Sequence, residues 1–505
     1  MTFDLRRWAL EDPDRLAVRV GNVDTTYGEL EAVANRVAHV LRAHGVERGD
    51  HVAALMGNTA HVFAVVWGAY RAGAYITPVP STASLEDAAY IVRDCGAKVV
   101  IADASLGEGL EGLPSLAGDG STWLALGGDI PGFLSLSLVL ESLPATPIAD
   151  ESSGSLMMYT SGTTGRPKGV WRALSPVVTA CPPFAQDLIA MFEVSENSRY
   201  LSTAPLYHAA PLRFGLAFLA AGGSVFVMPK FEARLALELL EKEKITHSQW
   251  VPTMFRRLLD LDASERARFK TPHHRLALHS AAPCPVPVKH AMIEWWGPVF
   301  EEYYSGSEGV GLTAITSAEW LERPGSVGRV RKGQLHILGE DEQELLAGEI
   351  GRVFFSGIAP FAYYGAPEKT ALRTSHQGWQ TFGDLGYADA QGYLFLTDRL
   401  DDMIISGGVN IYPQELEAAL LEMPDIAEVA VVGAPDHEYG ERPVAFVVPR
   451  TSGMDPIALT EAIGSFALQR LGRIKRPRDI RIMDALPYSP QGKLLRRELR
   501  RQLAD

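Results

Sequence analysis

Cysteine is scarce in this chain. Cys95, Cys181 and Cys284 are all that 505 residues contain. They are odd in number and lack metal-ligand spacing, and they read as three buried thiols in a reducing compartment, the cytoplasm. Basic charge is in deficit: 47 Lys and Arg against 61 Asp and Glu leave a net charge of −14. That balance excludes nucleic acid as a bulk partner, so any anionic ligand must be met by cations gathered locally. Uninterrupted apolar runs are short. The longest apolar region, Leu212–Met228, is broken by Arg213 and by Gly222-Gly223, and reads as a buried helix followed by a strand, not a membrane span. The start, Met1-Thr2-Phe3-Asp4-Leu5-Arg6-Arg7, has no apolar core before a cleavage site, so no signal peptide is expected. Internal repeats and low-complexity tracts are missing too.

What is present is ordinary for a globular enzyme. With 47% hydrophobic and 21% charged residues over 505 positions, the chain exceeds one core and implies two or more domains. Thr26-Tyr27-Gly28-Glu29 forms a capping-box pattern, and Leu30, Val33, Ala34, Val37, Val40 and Leu41 follow at helical spacing until Gly45. Strands at Val52–Met56, Tyr75–Val79 and Lys98–Ala102 alternate with helices at Ala60–Arg71 and Glu86–Asp94, which implies a mostly parallel sheet covered on both faces. Residues 103–150, rich in Gly, Ser, Leu and Pro, read as peripheral structure with variable loops. Further buried strands are expected at Tyr200–Ala204, Ser224–Met228 and His247–Val251, with a helix at Arg234–Lys244 before the last. From about Glu340 the pattern turns antiparallel, with strands at Glu349–Gly357 and Gly392–Thr397. Beyond Asp398-Arg399-Leu400-Asp401-Asp402, Pro413 opens a helix whose buried stripe is Leu416, Ala419 and Leu420. The resulting expectation is an α/β fold. Residues 1–398 make a large domain of mostly parallel sheets flanked by helices plus a small barrel-like part, and 399–505 a small mobile α+β domain.

The chain is organised around Met158-Tyr159-Thr160-Ser161-Gly162-Thr163-Thr164-Gly165-Arg166-Pro167-Lys168-Gly169-Val170. Glycines let backbone N–H groups approach an anion, the hydroxyls of Thr160, Ser161, Thr163 and Thr164 donate to it, and Lys168 brings charge. A polyphosphate is the implied ligand. The spacing is not that of a Walker loop, because Pro167 precedes Lys168 and Gly169 follows it. The stretch closely resembles the phosphate loop of the adenylate-forming enzymes, which include acyl-CoA synthetases, luciferases and peptide-synthetase adenylation domains.

Other segments extend the resemblance from about residue 10 to 500. Ser280-Ala281-Ala282-Pro283 and Glu302-Tyr303-Tyr304-Ser305-Gly306-Ser307-Glu308 match the family's adenine and magnesium segment. The resemblance implies that Ala282 and Pro283 wall the base, Tyr304 stacks on it, Ser307 faces the α-phosphate and Glu308 ligates Mg²⁺. Ser305 stands where many members have glycine, and Ser307 where many have threonine. Trp379-Gln380-Thr381-Phe382-Gly383-Asp384 is similar to a turn whose aspartate holds both ribose hydroxyls, with Phe382 in place of the usual threonine and Arg399 approaching ribose and phosphate. Asp401 matches the hinge, and Gly407-Gly408 the loop that lines a pantetheine tunnel. Pro487-Tyr488-Ser489-Pro490-Gln491-Gly492-Lys493-Leu494-Leu495-Arg496 matches the frame of the catalytic lysine, Lys493. Arg473, Lys475, Arg476 and Arg478 form a basic cluster for the CoA phosphates.

The resemblance implies an AMP-forming acyl-CoA ligase that uses ATP, Mg²⁺ and CoA, with Lys493, Glu308, Thr163 and His208 as catalytic residues. The absence of a carrier domain after Asp505 favours CoA as acceptor, with a separate carrier protein the alternative and a non-catalytic nucleotide or acyl sensor the third reading. Tyr207-His208 stands where amino-acid-activating relatives carry an aspartate, which disfavours amino acids. Ser305 stands where acetate-specific relatives carry a plugging tryptophan. Pocket walls are expected from His208, Ala209, Phe214, Trp250, Val251, Ser305, Gly306 and Val310, without a matched charge. The substrate expected is a medium-to-long fatty acid or a bulky alicyclic or aryl carboxylate. No membrane span is expected, and a homodimer is left open.

Overall fold

Short apolar runs alternating with amphipathic helices have a stable solution in parallel strands covered on both faces. The computed structural model, which describes residues 4–160, 166–179, 181–400, 402–406, 409–451, 453–489 and 494–503, shows that arrangement twice. One sheet has six strands in the order Leu134–Ser135, Thr122–Leu126, Ala97–Asp103, His51–Leu55, Tyr75–Val79 and Ser155–Leu156, all paired in parallel. Thr122–Leu126 corrects the expectation of peripheral structure over 103–150. Its five-residue run is short and flanked by turn residues, yet Trp123 to Leu126 are buried in the sheet.

The chain then makes a hairpin of β1 (Met158–Thr160) and β2 (Lys168–Trp171), to which Ala362–Tyr363 adds a third strand. A second sheet of nine strands follows, with helix α1 (Ala209–Ala220) on one face and β3 (His247–Trp250), β4 (Leu276–His279) and β5 (Phe300–Tyr304) running parallel near its centre. The early hairpin Leu16–Val20/Val23–Thr26 closes its far edge, with Val18 beside Val225.

Strand alternation sorts side chains between layers. Val52, Ile76, Val99 and Ile101 of the first sheet and Tyr200, Val225, Leu278 and Tyr303 of the second face one shared apolar core. The helices Tyr27–Ala43, His61–Arg71 and α1 lie between them. Both halves of the capping box form, as Thr26 accepts from the Glu29 amide and Glu29 from the Thr26 amide. Leu201, Phe226, Trp250, Ala277 and Phe300 point the other way, into a separate core.

The barrel-like part consists of two antiparallel sheets sharing one cluster of Val170, Val353, Phe355, Phe361 and Leu394. The larger has Gln334–Leu338, Gly351–Ser356, β6 (Asp384–Ala388) and β7 (Leu394–Arg399), and the smaller is the hairpin with Ala362–Tyr363. Residues 398 and 399 lie within β7. A last sheet of five strands, with Gly440–Pro449 central and Ile426–Asp436 paired along its length at one edge, carries the helices Pro413–Leu420 and Pro456–Lys475 and forms the smaller α+β part. No helix among the described residues is long and apolar enough to cross a membrane. Cys95 and Cys181 are buried free thiols, whereas Cys284 is only half-buried, because it follows the exposed Pro283 at a strand-end loop.

The helix layer relies on a close approach. A Cβ on Gly68 would lie 2.6 Å from Val37 Cγ1 and 2.7 Å from the Ala34 carbonyl oxygen. Gly→Ala inside a helix ordinarily stabilises by about 1 kcal/mol. Here Gly68→Ala is expected to destabilise by about 1–3 kcal/mol through overpacking, read as a lower urea midpoint at unchanged slope. A raised midpoint would disprove the close approach.

Candidate active site

The glycine-rich stretch is the tip of the β1–β2 hairpin. Lys168 pairs with Thr160, Gly169 with Tyr159 and Val170 with Met158. Ser161, Gly162, Thr163 and Thr164 lie outside the described residues, as do Asp401, Gly407, Gly408 and Lys493. The Lys168 ammonium sits 3.6 Å from Asp94 Oδ1 and 3.3 Å from the Tyr90 hydroxyl, while the Tyr159 hydroxyl donates to Asp94 Oδ2 at 2.7 Å. Such a partly exposed pair contributes little on its own, so the ammonium can exchange Asp94 for a phosphate at small cost.

Three segments distant in sequence meet at Asp384. The Tyr304 hydroxyl, at the end of β5, donates to Asp384 Oδ2 at 2.6 Å, and Arg399 Nε donates to Oδ1 at 3.2 Å. Asp384 and Arg399 are direct partners in the β6–β7 ladder. Burial, and after it the Asp384 charge, holds the Tyr304 phenol well above its ordinary range, which keeps it a donor. Both carboxylate oxygens expected to receive ribose hydroxyls thus have protein donors. Phe382 takes the usual threonine's place as an apolar wedge. Its ring meets Tyr304 edge-on at 5.3 Å, and a Cβ on Gly306 would lie 2.6 Å from it.

The turn after β5 is tied down by side chains gripping its backbone. Glu308 Oε1 accepts from the Tyr363 hydroxyl at 2.9 Å. Ser305 Oγ donates to the Gly311 carbonyl at 2.8 Å, so this hydroxyl is used within the turn. Arg172 Nη2 donates to the carbonyls of Glu308 at 2.6 Å and Gly309 at 3.1 Å, and Arg213 Nη2 to that of Ser307 at 3.3 Å. Across the sheet edge, Ala281 adopts a φ of 76°, strained for a residue with a Cβ. It presents half-buried Ala282 and exposed Pro283 beyond β4.

The expected acyl walls divide. His208 caps the N-terminus of α1 and Ala209 begins it, both half-buried. Burial pushes the His208 imidazole down to about 3, so it is neutral. Trp250 is not a wall. It is 1% exposed and packs against Phe231, Phe255 and Trp296 on the outer face of the sheet. Strand alternation aims Gln249 at the α1 side instead, between the hydroxyls of Tyr200 and Tyr303. Phe214 is core as well, stacked near Tyr200, Phe192 and Tyr303. Val251 is buried at the start of the next helix. Val310 lines a different cavity, of about 240 Å³, with Phe355, Trp379 and Gln380.

The sequence reading passed over Arg172 and Arg213. Arg213 had shown itself only as a break in an apolar run. The basic cluster is partly engaged within its own domain, since Lys475 pairs with Glu415 at 2.7 Å and Arg478 lies over the Tyr439 ring at 4.3 Å.

Residues 5–364 match the family model described as AMP-binding enzyme, and residues 415–493 that of the AMP-binding enzyme C-terminal domain. The chain belongs to the AMP-binding enzyme family. As a member of it the protein is an AMP-forming acid–thiol ligase, acting through ATP and a thiol acceptor. The long-chain-fatty-acid–CoA ligase FadD13 of Mycobacterium tuberculosis is 32% identical over 95% of this chain and 93% of its own. The fatty acid–[acyl-carrier-protein] ligase ScoC of Streptomyces coeruleorubidus is 30% identical over 97% of this chain and 94% of its own. The ATP-bound structure of MatB from Rhodopseudomonas palustris superposes with a TM-score of 0.84 at 28% identity, covering 100% of this chain and 99% of that one. These AMP-binding relatives span essentially the whole length of the chain.

A histidine whose pKa folding lowers from 6.5 to about 3 favours the native state fully above pH 6.5, and that contribution fades as pH falls toward 3. His208 therefore carries no charge at working pH. His208→Asn is expected to lower kcat/KM while leaving the acidic limb of its pH profile unmoved. A limb near pH 6.5 that vanishes in the variant would show that the imidazole titrates.

Proposed function

We propose that the ligase joins a bulky carboxylic acid, a medium-to-long fatty acid or an alicyclic or aryl acid, to CoA by way of an acyl-adenylate. The observation that carries this reading is the convergence of Tyr304, Asp384 and Arg399 from three segments, beside Glu308 and at the mouth of the β1–β2 hairpin. Tyr304 offers a flat ring for a base, while Asp384 and Arg399 offer an acceptor and a cation for ribose and phosphate. Ala282 and Pro283 would close the base from the β4 side. Thr160 and Lys168, with Ser161, Gly162, Thr163 and Thr164, would hold the β- and γ-phosphates. Ser307 would donate to the α-phosphate.

In the first step a substrate carboxylate oxygen bonds to the α-phosphorus and the bond to pyrophosphate breaks. Negative charge grows on equatorial oxygens, so catalysis is positioning and charge stabilisation. Lys493 is assigned to that charge. Glu308 suits Mg²⁺ only in company with a nucleotide. It is one carboxylate, and the described residues hold no cluster of three ligating side chains, while this ion favours one or two carboxylates plus phosphates and water. Once bound, the ion would neutralise phosphate charge. In the second step a thiol sulfur attacks the acyl carbon and AMP leaves. Rotation of residues 399–505 about Asp401 would withdraw Lys493 and bring Gly407-Gly408 over the adenylate. Neutral His208 and the small residues Ala209, Ser305 and Gly306 line the approach for the acid. The relative that loads an acyl carrier protein keeps a carrier-bound pantetheine as a second acceptor reading.

Lys493→Ala is expected to cut pyrophosphate release by on the order of 10²–10³-fold or more while supplied acyl-adenylate is still converted to thioester. Pyrophosphate release at the wild-type rate would remove Lys493 from the adenylation step. Asp401→Pro is expected to do the reverse. With hydroxylamine as acceptor, octanoate, palmitate, cinnamate and cholate should outrun acetate and phenylalanine, and best turnover on either of the last two would overturn the acid class.

A further inference from the structure

Two guanidinium groups, those of Arg172 and Arg213, meet at the 307–309 turn without a direct ion pair among the described residues. Arg172 follows β2 directly. Arg213 lies four residues after Ala209 on α1, hence on the same helix face one turn along. They approach the 307–309 turn together, and all they receive there is three neutral carbonyls: Ser307 for Arg213, and Glu308 and Gly309 for Arg172. Among the described residues neither forms an ion pair, whereas most other buried arginines have an acid. Arg71 has Glu31 at 2.6 Å, and Arg496 has Glu417 at 2.6 Å.

Arg213 is the more exposed to this deficit. Its Nε is buried and has no hydrogen-bond partner, and its guanidinium rests 5.6 Å from the Phe184 ring. Burial first, and then the charge of Arg172, push its pKa down to about 10. The groups facing it are Tyr303 and Glu308. The Glu308 carboxylate takes the Tyr363 hydroxyl and makes no ion pair with it. Two like charges held together in a half-buried setting, with only a carboxylate at longer range, favour the arrival of an anion.

The helix face of Arg213 points to the acid as that anion, in preference to the nucleotide. The arginines hold the turn by its backbone carbonyls, while Tyr304, Asp384 and Arg399 mark the nucleotide side. Arg213 shares its helix face with Ala209, beside His208, where the acid is proposed to enter. A guanidinium fork anchored by one Nη and keeping Nε free matches a carboxylate.

We propose that the acid activated here carries a second carboxylate besides the one that is adenylated, and that Arg213, assisted by Arg172, binds it. This rests on the acyl-ligase reading and narrows its substrate to a dicarboxylate with an apolar body. The test is a matched series measured by pyrophosphate release with hydroxylamine: adipate, suberate and sebacate against hexanoate, octanoate and decanoate. The wild-type protein is expected to favour the diacid of at least one pair by about tenfold or more in kcat/KM. Arg213→Met should bring that ratio to one or below through KM, Arg172→Met should reduce it, and Arg213→Lys should restore part of it. Preference for the monoacid throughout, or equal loss on both acids in Arg213→Met and Arg172→Met, would show that the arginines only prop the turn, and would overturn the proposal. Calorimetric binding of the same acids without ATP separates the two readings. Diacid-selective binding without turnover would sink the ligase step and keep the site, whereas turnover without selectivity would do the opposite.

Discussion

The carboxylate of Asp384 is the tie on which the site depends. It is reached by Tyr304 from the nine-stranded sheet and by Arg399 from the last strand of the antiparallel sheet. Charge-assisted bonds of this kind are roughly twice as strong as neutral ones, and they add to the bonds of Val327 and Gly328 with Leu394 that also join the two sheets. Asp398, next in the chain to Arg399, extends the tie. Its side chain accepts from the amides of Arg399 at 2.7 Å and Gln414 at 3.1 Å. Burial lifts its carboxyl to about 7, evidence of how far from water this junction lies.

Beneath Tyr304 a second buried polar contact sets the height of the strand. Glu302 Oε2 takes the Lys289 ammonium at 2.6 Å, both side chains being almost wholly enclosed, with the ammonium 4.6 Å from the Trp320 ring. Burial raises the Glu302 carboxyl and Lys289 draws it back down. A pair like this gives little net stability against an apolar substitute, but losing one partner is strongly destabilising, by about 3–5 kcal/mol. Its position explains its use. Lys289 is on the helix Val286–Trp296, which starts just after Ala282-Pro283, and Glu302 is two residues before Tyr304. The two sides of the base site are thereby registered to each other through the core.

Much of this was legible from sequence because parallel strands buried on both faces must be apolar along their whole length. His51–Leu55 and Tyr75–Val79 are buried at every position, and their runs stood out. The hairpin, the Tyr304–Glu308 turn and the Asp384 turn stood out for another reason: each carries residue types at a spacing that resembles the family's motifs, and the fold brings Tyr304 and Asp384 together. The failures have separate causes. Which face a strand residue takes is decided by pairing register, which a single sequence does not display, and Trp250 was read as a wall although it packs in the outer core. Phe214 lies on a helix buried on nearly every side, where the sequence does not tell wall from core. Arg213 was missed because a lone charge in an apolar helix is meaningful only once the carbonyls of Ser307–Gly309 and the guanidinium of Arg172 are brought against it. Thr122–Leu126 was lost to its loop-like flanks.

The contacts of the small C-terminal part divide by strength in a way that suits rotation as a unit. Arg496, three residues beyond Lys493, holds Glu417 in a two-pronged pair at 2.6 and 2.9 Å, with both side chains mostly enclosed. Asp402 joins the same group through Arg500 at 2.8 Å. These bonds fix the base of the lysine loop to its own domain. Two contacts reach the large part: the enclosed Asp398 side chain takes the Gln414 amide at 3.1 Å, and Arg256 meets Glu428 at 3.3 Å with about a quarter of each side chain exposed. Glu428 also takes the Tyr488 hydroxyl at 3.0 Å. An exposed pair of that sort contributes on the order of 0–1 kcal/mol, whereas breaking the enclosed Arg496–Glu417 pair would cost several times more. The proposed rotation would have to release both Arg256 and the Gln414 amide, while the Arg496–Glu417 pair lies within the part that turns. The exposed pair is the weaker of these contacts, and the enclosed Arg496–Glu417 pair binds the helix Arg496–Arg501 to the small part as one unit.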